Sequence, residues 1–147
     1  MKKLYFLAIP IALFFLTGCV KNSTPTPVSV PTGTFSGQLV LIHLSSKTGK
    51  LDTVKANVVL TMSTATGYAV TSDTTTVQAG SNGPFIMDSQ YIQFQDKTAP
   101  GTTAQFVGTS TKVHLNGTYT YAYDGTNFNF FAASADTLGF NYSLKKN

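Results

Sequence analysis

A chain of 147 residues with ten lysines, six aspartates, no arginine, no glutamate and one cysteine has room for one domain with one core and not for two of ordinary size. Outside Lys2 and Lys3, eight lysines face six aspartates, so no dense basic patch is available to neutralise phosphates, and the composition argues against nucleic-acid binding. A lone Cys19 excludes an intramolecular disulfide.

The first predicted element is an export leader. Lys2 and Lys3 supply a positive n-region, Leu4 to Leu16 an apolar h-region, and Gly18 a small residue before the cleavage point. The apolar run is shorter than the roughly 20 residues a transmembrane helix needs, and it contains Pro10. Leu16-Thr17-Gly18-Cys19 resembles the lipobox of bacterial lipoproteins. That resemblance implies that residues 1–18 are removed and that Cys19 becomes the lipidated first residue of the mature chain. With three acyl chains, release from the membrane would be negligible, because two chains already suffice for stable anchoring.

Residues 19–32 then read as the lipidated cysteine and a tether. Pro25, Pro27 and Pro31 among Thr, Ser and Val cannot build a helix or a buried strand. At roughly 3 Å per residue such a segment reaches about 40 Å. The residues after the cysteine, Val20-Lys21-Asn22-Ser23, lack the aspartate that retains lipoproteins in an inner membrane and the acidic run that favours surface export in Bacteroidota. The resemblance therefore implies an outer-membrane anchor with the domain facing the periplasm.

Residues 33–147 are rich in Thr, Val, Tyr and Phe, show no apolar spacing of three and four, and predict a single all-β domain. Strands are expected at 34–44, 54–62, 67–71, 75–79, 84–87, 91–95, 113–123, 127–133 and 138–144. Short turns rich in Gly, Asp, Asn and Ser separate most of them, which predicts hairpins. Alternation is clearest where Leu138, Phe140, Tyr142 and Leu144 share one face, and it recurs at Val54, Ala56, Val58, Leu60 and Met62. Two stretches echo one another: Asp88 and Asp124 each precede apolar residues by four and six positions, Ile92 and Phe94 in one case, Phe128 and Phe130 in the other. Each reads as a hairpin with an aspartate forming its turn.

This run of strands, with Gly33-Thr34-Phe35 placed where lipocalins carry Gly-x-Trp on the first strand, resembles the small lipocalin-like (calycin) lipoproteins of Bacteroidota. Phe35 stands in for the tryptophan. The resemblance implies an up-and-down antiparallel β-barrel of about eight strands; a two-sheet β-sandwich is the alternative that the same alternation allows.

Little in the sequence points to catalysis. His43 and His114 lie on predicted strands, the first half-buried by its alternation with Leu39 and Leu41, the second on the surface. Gly33-Thr34-Phe35-Ser36-Gly37 misses the nucleophile elbow of serine hydrolases. No close-set zinc ligands and no calcium-loop spacing occur. The expectation is a non-enzymatic chain with no cofactor and no metal. Tyr119, Tyr121 and Tyr123 share one strand face, and Phe128 and Phe130 follow across the Asp124-Gly125 turn. This ladder of rings is either core or the wall of a site for a small apolar or amphipathic ligand. Phe106 and Val107, in the long connection from Lys97 to Lys112, are candidates for a lid over a barrel mouth. The first expectation is a lipocalin-like barrel that binds such a small ligand; the competing one is a packed barrel that serves as a structural or interaction module and docks an envelope protein.

Overall fold

The computed structural model describes residues 29–45, 47–72, 75–98, 112–134 and 138–147. Cys19, most of the tether, and Phe106 and Val107 lie outside the described residues. Among the described residues, nine strands form one antiparallel sheet: β1 (Gly33–Leu44), β2 (Leu51–Ser63), β3 (Gly67–Ser72), β4 (Ser81–Gly83), β5 (Phe85–Met87), β6 (Tyr91–Phe94), β7 (Gly117–Tyr123), β8 (Asn127–Ser134) and β9 (Leu138–Lys146). Their spatial order is β4-β3-β2-β1-β9-β8-β7-β6-β5. First and last strands pair, Leu39 opposite Tyr142 and Leu41 opposite Phe140, and every other neighbour is also a neighbour in sequence. The meander therefore curls into a barrel.

The ring joins at Pro84. β4 pairs with β3, β5 pairs with β6, and the two are halves of one strand that changes partner at a residue unable to donate a ladder hydrogen bond. Gln95 N donates to Pro84 O at 3.1 Å and Lys97 N to Asn82 O at 2.7 Å, which carries the β6 side of the ladder past the break. Counted this way the barrel has eight staves, as expected for an up-and-down barrel. The seam is tight at Gly67, with φ at +86°: any Cβ there would strike the Gly83 carbonyl.

One predicted strand is absent, a second is shorter than predicted, and one predicted turn is a strand. Residues 75–79 make a single parallel bridge, Gln78 to Val113, instead of a strand. Residues 113–116 likewise precede β7 as irregular chain. Ser81–Gly83, which reads as turn, is β4. The reason is tertiary: Gln78, Val113 and Leu115 are 0% exposed and fold inward across one end of the barrel, so their apolar character serves the interior and not a stave.

The barrel's two ends differ. At the turn end lie the β2–β3, β5–β6 and β7–β8 hairpin turns, the start of β1 and the end of β9. At the loop end lie the β1–β2 turn, the β3–β4 connection, the long β6–β7 connection and the β8–β9 connection. Strand alternation sends Phe35, Leu39 and Leu41 of β1, Ala56, Val58, Leu60 and Met62 of β2, and Phe140, Tyr142 and Leu144 of β9 into one core.

Candidate functional site

The five ring residues that the sequence groups together do converge. Tyr119, Phe128 and Phe130 are buried in the core, while Tyr121 and Tyr123 are half-buried and pack against it. The column runs along the barrel axis. Phe35 meets Phe128 at 5.6 Å between centroids, Phe128 meets Phe130 at 4.8 Å, and Phe130 stacks on Tyr142 at 4.5 Å and 14°. Tyr119 stands edge-on to Phe130 at 5.4 Å, and Phe94 bridges from Phe130 to Tyr68 at 4.8 Å. These are the offset and edge-to-face contacts that aromatic quadrupoles favour, each adding about 0.5–1.5 kcal/mol beyond burial. The rings are one another's neighbours.

At the turn end the half-buried tyrosines are tied to backbone. Tyr121 Oη donates to the Asp88 carbonyl at 2.6 Å and Tyr123 Oη to the Gly125 carbonyl at 3.0 Å. Asp88 and Asp124 form the turns as expected. Asp88 Oδ1 accepts from the amides of Gln90 and Tyr91, both at 2.7 Å. Asp124 Oδ1 accepts from Thr126 at 2.8 Å and Asn127 at 2.6 Å, and its Oδ2 from the Asn127 side chain at 2.7 Å. These donors, the Asn127 side chain foremost, lower the Asp124 carboxyl to about 2. Gly125 supplies the positive φ of +96° that this turn requires.

The loop end holds a buried polar network that sequence reading misses. Tyr142 Oη donates to Gln78 Oε1 at 2.9 Å, and Gln78 Nε2 donates to the carbonyls of Ala79 at 2.9 Å and Val113 at 3.0 Å. Tyr68 Oη donates to the Leu115 carbonyl, Tyr119 Oη to the Asn116 carbonyl at 3.2 Å, and Leu115 N to Ser81 Oγ at 3.1 Å. Three inward tyrosines from three different strands thus present their hydroxyls to the two segments that close this end. Burial pushes the Tyr68 and Tyr142 hydroxyls well above the usual phenol range.

Beside the plug sits the one carboxylate–imidazole pair among the described residues. His114 Nδ1 lies 2.7 Å from Asp96 Oδ2, with the Asp96 side chain 0% and the His114 side chain 15% exposed. The expected surface position of His114 is therefore corrected: the plug draws it onto a buried acid. Asp96 also accepts from Asn82 N at 3.2 Å and Thr98 N at 2.9 Å, and the Thr98 hydroxyl lies 2.7 and 2.8 Å from its two oxygens. Its own amide donates to Asn116 Oδ1 at 3.1 Å. A carboxylate that accepts this many donors ties β4, the end of β6 and the start of β7 together. The Thr98 hydroxyl is bound to the acid and sits on the Nδ1 side of the imidazole. In a hydrolytic triad the hydroxyl sits at the other ring nitrogen, so the trio does the work of a clasp. One signal was legible: Asp96 continues the inward parity of Ile92 and Phe94.

His43 is half-buried on the inward face of β1, as its spacing predicts, and its Nδ1 is buried with no hydrogen-bond partner among the described residues. Among the described residues no three His, Cys, Asp or Glu side chains gather as metal ligands would. On the outside, the seam beside β5 opens a groove of about 650 Å³ between the β2–β3 turn and the chain from Asn82 to Met87. Comparison of the chain with protein-family models, with curated proteins and with solved structures finds no match.

Proposed function

We propose that this chain is a non-enzymatic, lipid-anchored module of the bacterial cell envelope, held to the membrane through Cys19, whose packed barrel acts through its outer surface. What carries the reading is the state of the interior: Phe35, Phe94, Tyr119, Phe128, Phe130, Phe140 and Tyr142 are all 2% exposed or less and fill the barrel with their mutual contacts. A carrier of one small molecule needs an apolar cavity of some hundreds of cubic ångströms lined by such rings. Here the rings serve as core.

The large side chains left outside support the same reading. Leu44, Leu51, Ile86, Tyr91 and Phe131 are exposed, and exposed apolar side chains that cluster mark surfaces of contact. The lipobox resemblance at Leu16–Cys19 supports the anchor.

Native mass spectrometry of the protein purified gently from its own envelope tests the proposal. The expected spectrum is the mature chain carrying acyl groups on Cys19 and nothing else in stoichiometric amount. A stoichiometric small molecule, lost in Tyr121→Ala while the fold survives, would replace this reading with that of a ligand carrier. Turnover of an ester, glycoside or peptide that vanished in His114→Ala would replace it with that of an enzyme.

A further inference from the structure

Side chains on the outer wall of β8, β9, β1 and β2 are arranged in rows by the strand register. Phe131 of β8 stands opposite Asn141 of β9, Asn141 opposite Val40 of β1, and Val40 opposite Lys55 of β2. One step toward the loop end, Gly139 lies between Ala133 and Ile42, and one step further Leu44 faces Leu51 at the end of the β1–β2 hairpin. A Cβ at Gly139 would meet the Phe131 ring at 3.5 Å and Ile42 Cβ at 3.8 Å. The ring therefore leans over the glycine, and the apolar surface is continuous from β8 to the hairpin tip. It is open to solvent: Phe131 is 43%, Leu44 45% and Leu51 65% exposed.

Among the described residues, the charges at outward positions around this surface are lysines. Lys47 and Lys50 cap the hairpin, and Lys55 stands at its flank, all exposed. Outward positions of these four strands carry no carboxylate among the described residues. Asp52, the acidic residue of the hairpin, has the opposite parity, and its Oδ1 accepts from Thr53 N at 2.8 Å. An apolar wall with aromatic and aliphatic side chains, rimmed by lysines and with no outward acid on its strands among the described residues, is complementary to a surface that is itself apolar with anionic head groups. Each lysine near such a surface adds an attraction that salt screens.

We propose that this wall rests on the anionic leaflet of the membrane that holds the protein. The inference depends on the anchor reading above. Geometry permits the contact: β1 has 12 residues at about 3.3 Å each, close to the roughly 40 Å reach of the tether. A barrel tethered at its turn end can therefore lie on its side with Phe131, Ile42, Leu44 and Leu51 at the head-group boundary. Amphipathic surfaces of this kind bind by buried apolar area plus attraction to anionic lipid.

The chain has no tryptophan, so a single Phe131→Trp substitution gives a depth probe in an otherwise silent background. The full anchored protein is reconstituted into vesicles rich in phosphatidylglycerol, or of phosphatidylcholine alone, each doped with brominated lipid. The expected result is blue-shifted, strongly quenched emission in the anionic vesicles, several-fold weaker quenching in phosphatidylcholine, and loss of the difference at high salt. Lys47→Glu combined with Lys50→Glu and Lys55→Glu lowers the quenching several-fold, while Thr66→Trp at the opposite end stays in water. Quenching of Phe131→Trp no greater than that of Thr66→Trp overturns the proposal and leaves the wall to a protein partner. The intact mass of the same sample reports acylation at Cys19 independently, so a failed anchor and a failed wall are told apart.

Discussion

The turn end and the loop end of this barrel are closed by different chemistry. At the turn end, closure is local: each aspartate caps amides two and three residues ahead of it, as Asp88 does for Gln90 and Tyr91 and Asp124 for Thr126 and Asn127. At the loop end, closure is long-range: Tyr142 bonds Gln78 across 64 positions of sequence, and Tyr68 bonds Leu115 across 47. Local closure is robust to what the rest of the chain does. Long-range closure holds only when the whole barrel is assembled, because each buried polar group depends on a partner from another stave.

Breaking what both ends share has the largest effect. Phe130 touches the ring column toward both ends, so Phe130→Ala is expected to remove about 3–5 kcal/mol, read as a fall in the urea midpoint. A loss under about 1 kcal/mol would mean that the column is not the core.

Next comes the plug. Gln78→Ala removes the acceptor of the Tyr142 hydroxyl and the side-chain donor to the Ala79 and Val113 carbonyls in a dry site, with an expected cost of about 1–3 kcal/mol. Hydrogen exchange should place the loss at the loop end, with Val113 and Leu115 amides exchanging faster and the Asp88 and Asp124 turns unchanged. Equal acceleration at both ends would show that the barrel opens as one unit.

The ends should also part company with pH. A buried tyrosine whose hydroxyl is held above its ordinary value of 10.0 keeps its proton in the folded chain. The unfolded chain releases it near pH 10, so this contribution is present below about pH 10 and is lost as pH rises. Alkaline unfolding followed by circular dichroism is expected to shift to higher pH in a Tyr68→Phe and Tyr142→Phe pair, provided both variants fold.

The smallest effect belongs to the turn. Asp124, lowered to about 2 from 3.8, favours the folded state above the unfolded value, and that contribution fades as pH falls from about 4 toward 2. In Asp124→Asn, the amide resonances of Thr126 and Asn127 should lose their acid titration while the barrel stays folded. If they still titrate, another carboxyl controls the turn.

Much of the barrel was legible because strand alternation and turn chemistry are local. The echo of Asp88 and Asp124 placed Ile92, Phe94, Phe128 and Phe130 on one side, and all four are buried. The alternation of Leu138 to Leu144 likewise announced the inward face of β9. Residues 75–79 and 113–116 misled for a physical reason: Val77, Gln78, Val113 and Leu115 have strand-like composition, and only the finished barrel offers an end for them to fill. The Asp96–His114 clasp was hidden for the same reason, being a contact across 18 residues of sequence whose one local sign is the inward parity of Asp96.

The sequence by itself determined that the chain is all-β, where its hairpins turn, and which residues face inward, since a period of two and a capping aspartate act over a few residues. Only the tertiary structure decided that first and last strands join, that the strand switching partners at Pro84 completes the ring, and that Tyr119, Phe128 and Phe130 are buried while Tyr121 and Tyr123 stay half-buried. Those outcomes depend on how staves from distant parts of the chain share one interior, and the volume left inside a closed barrel is a property of all its side chains together.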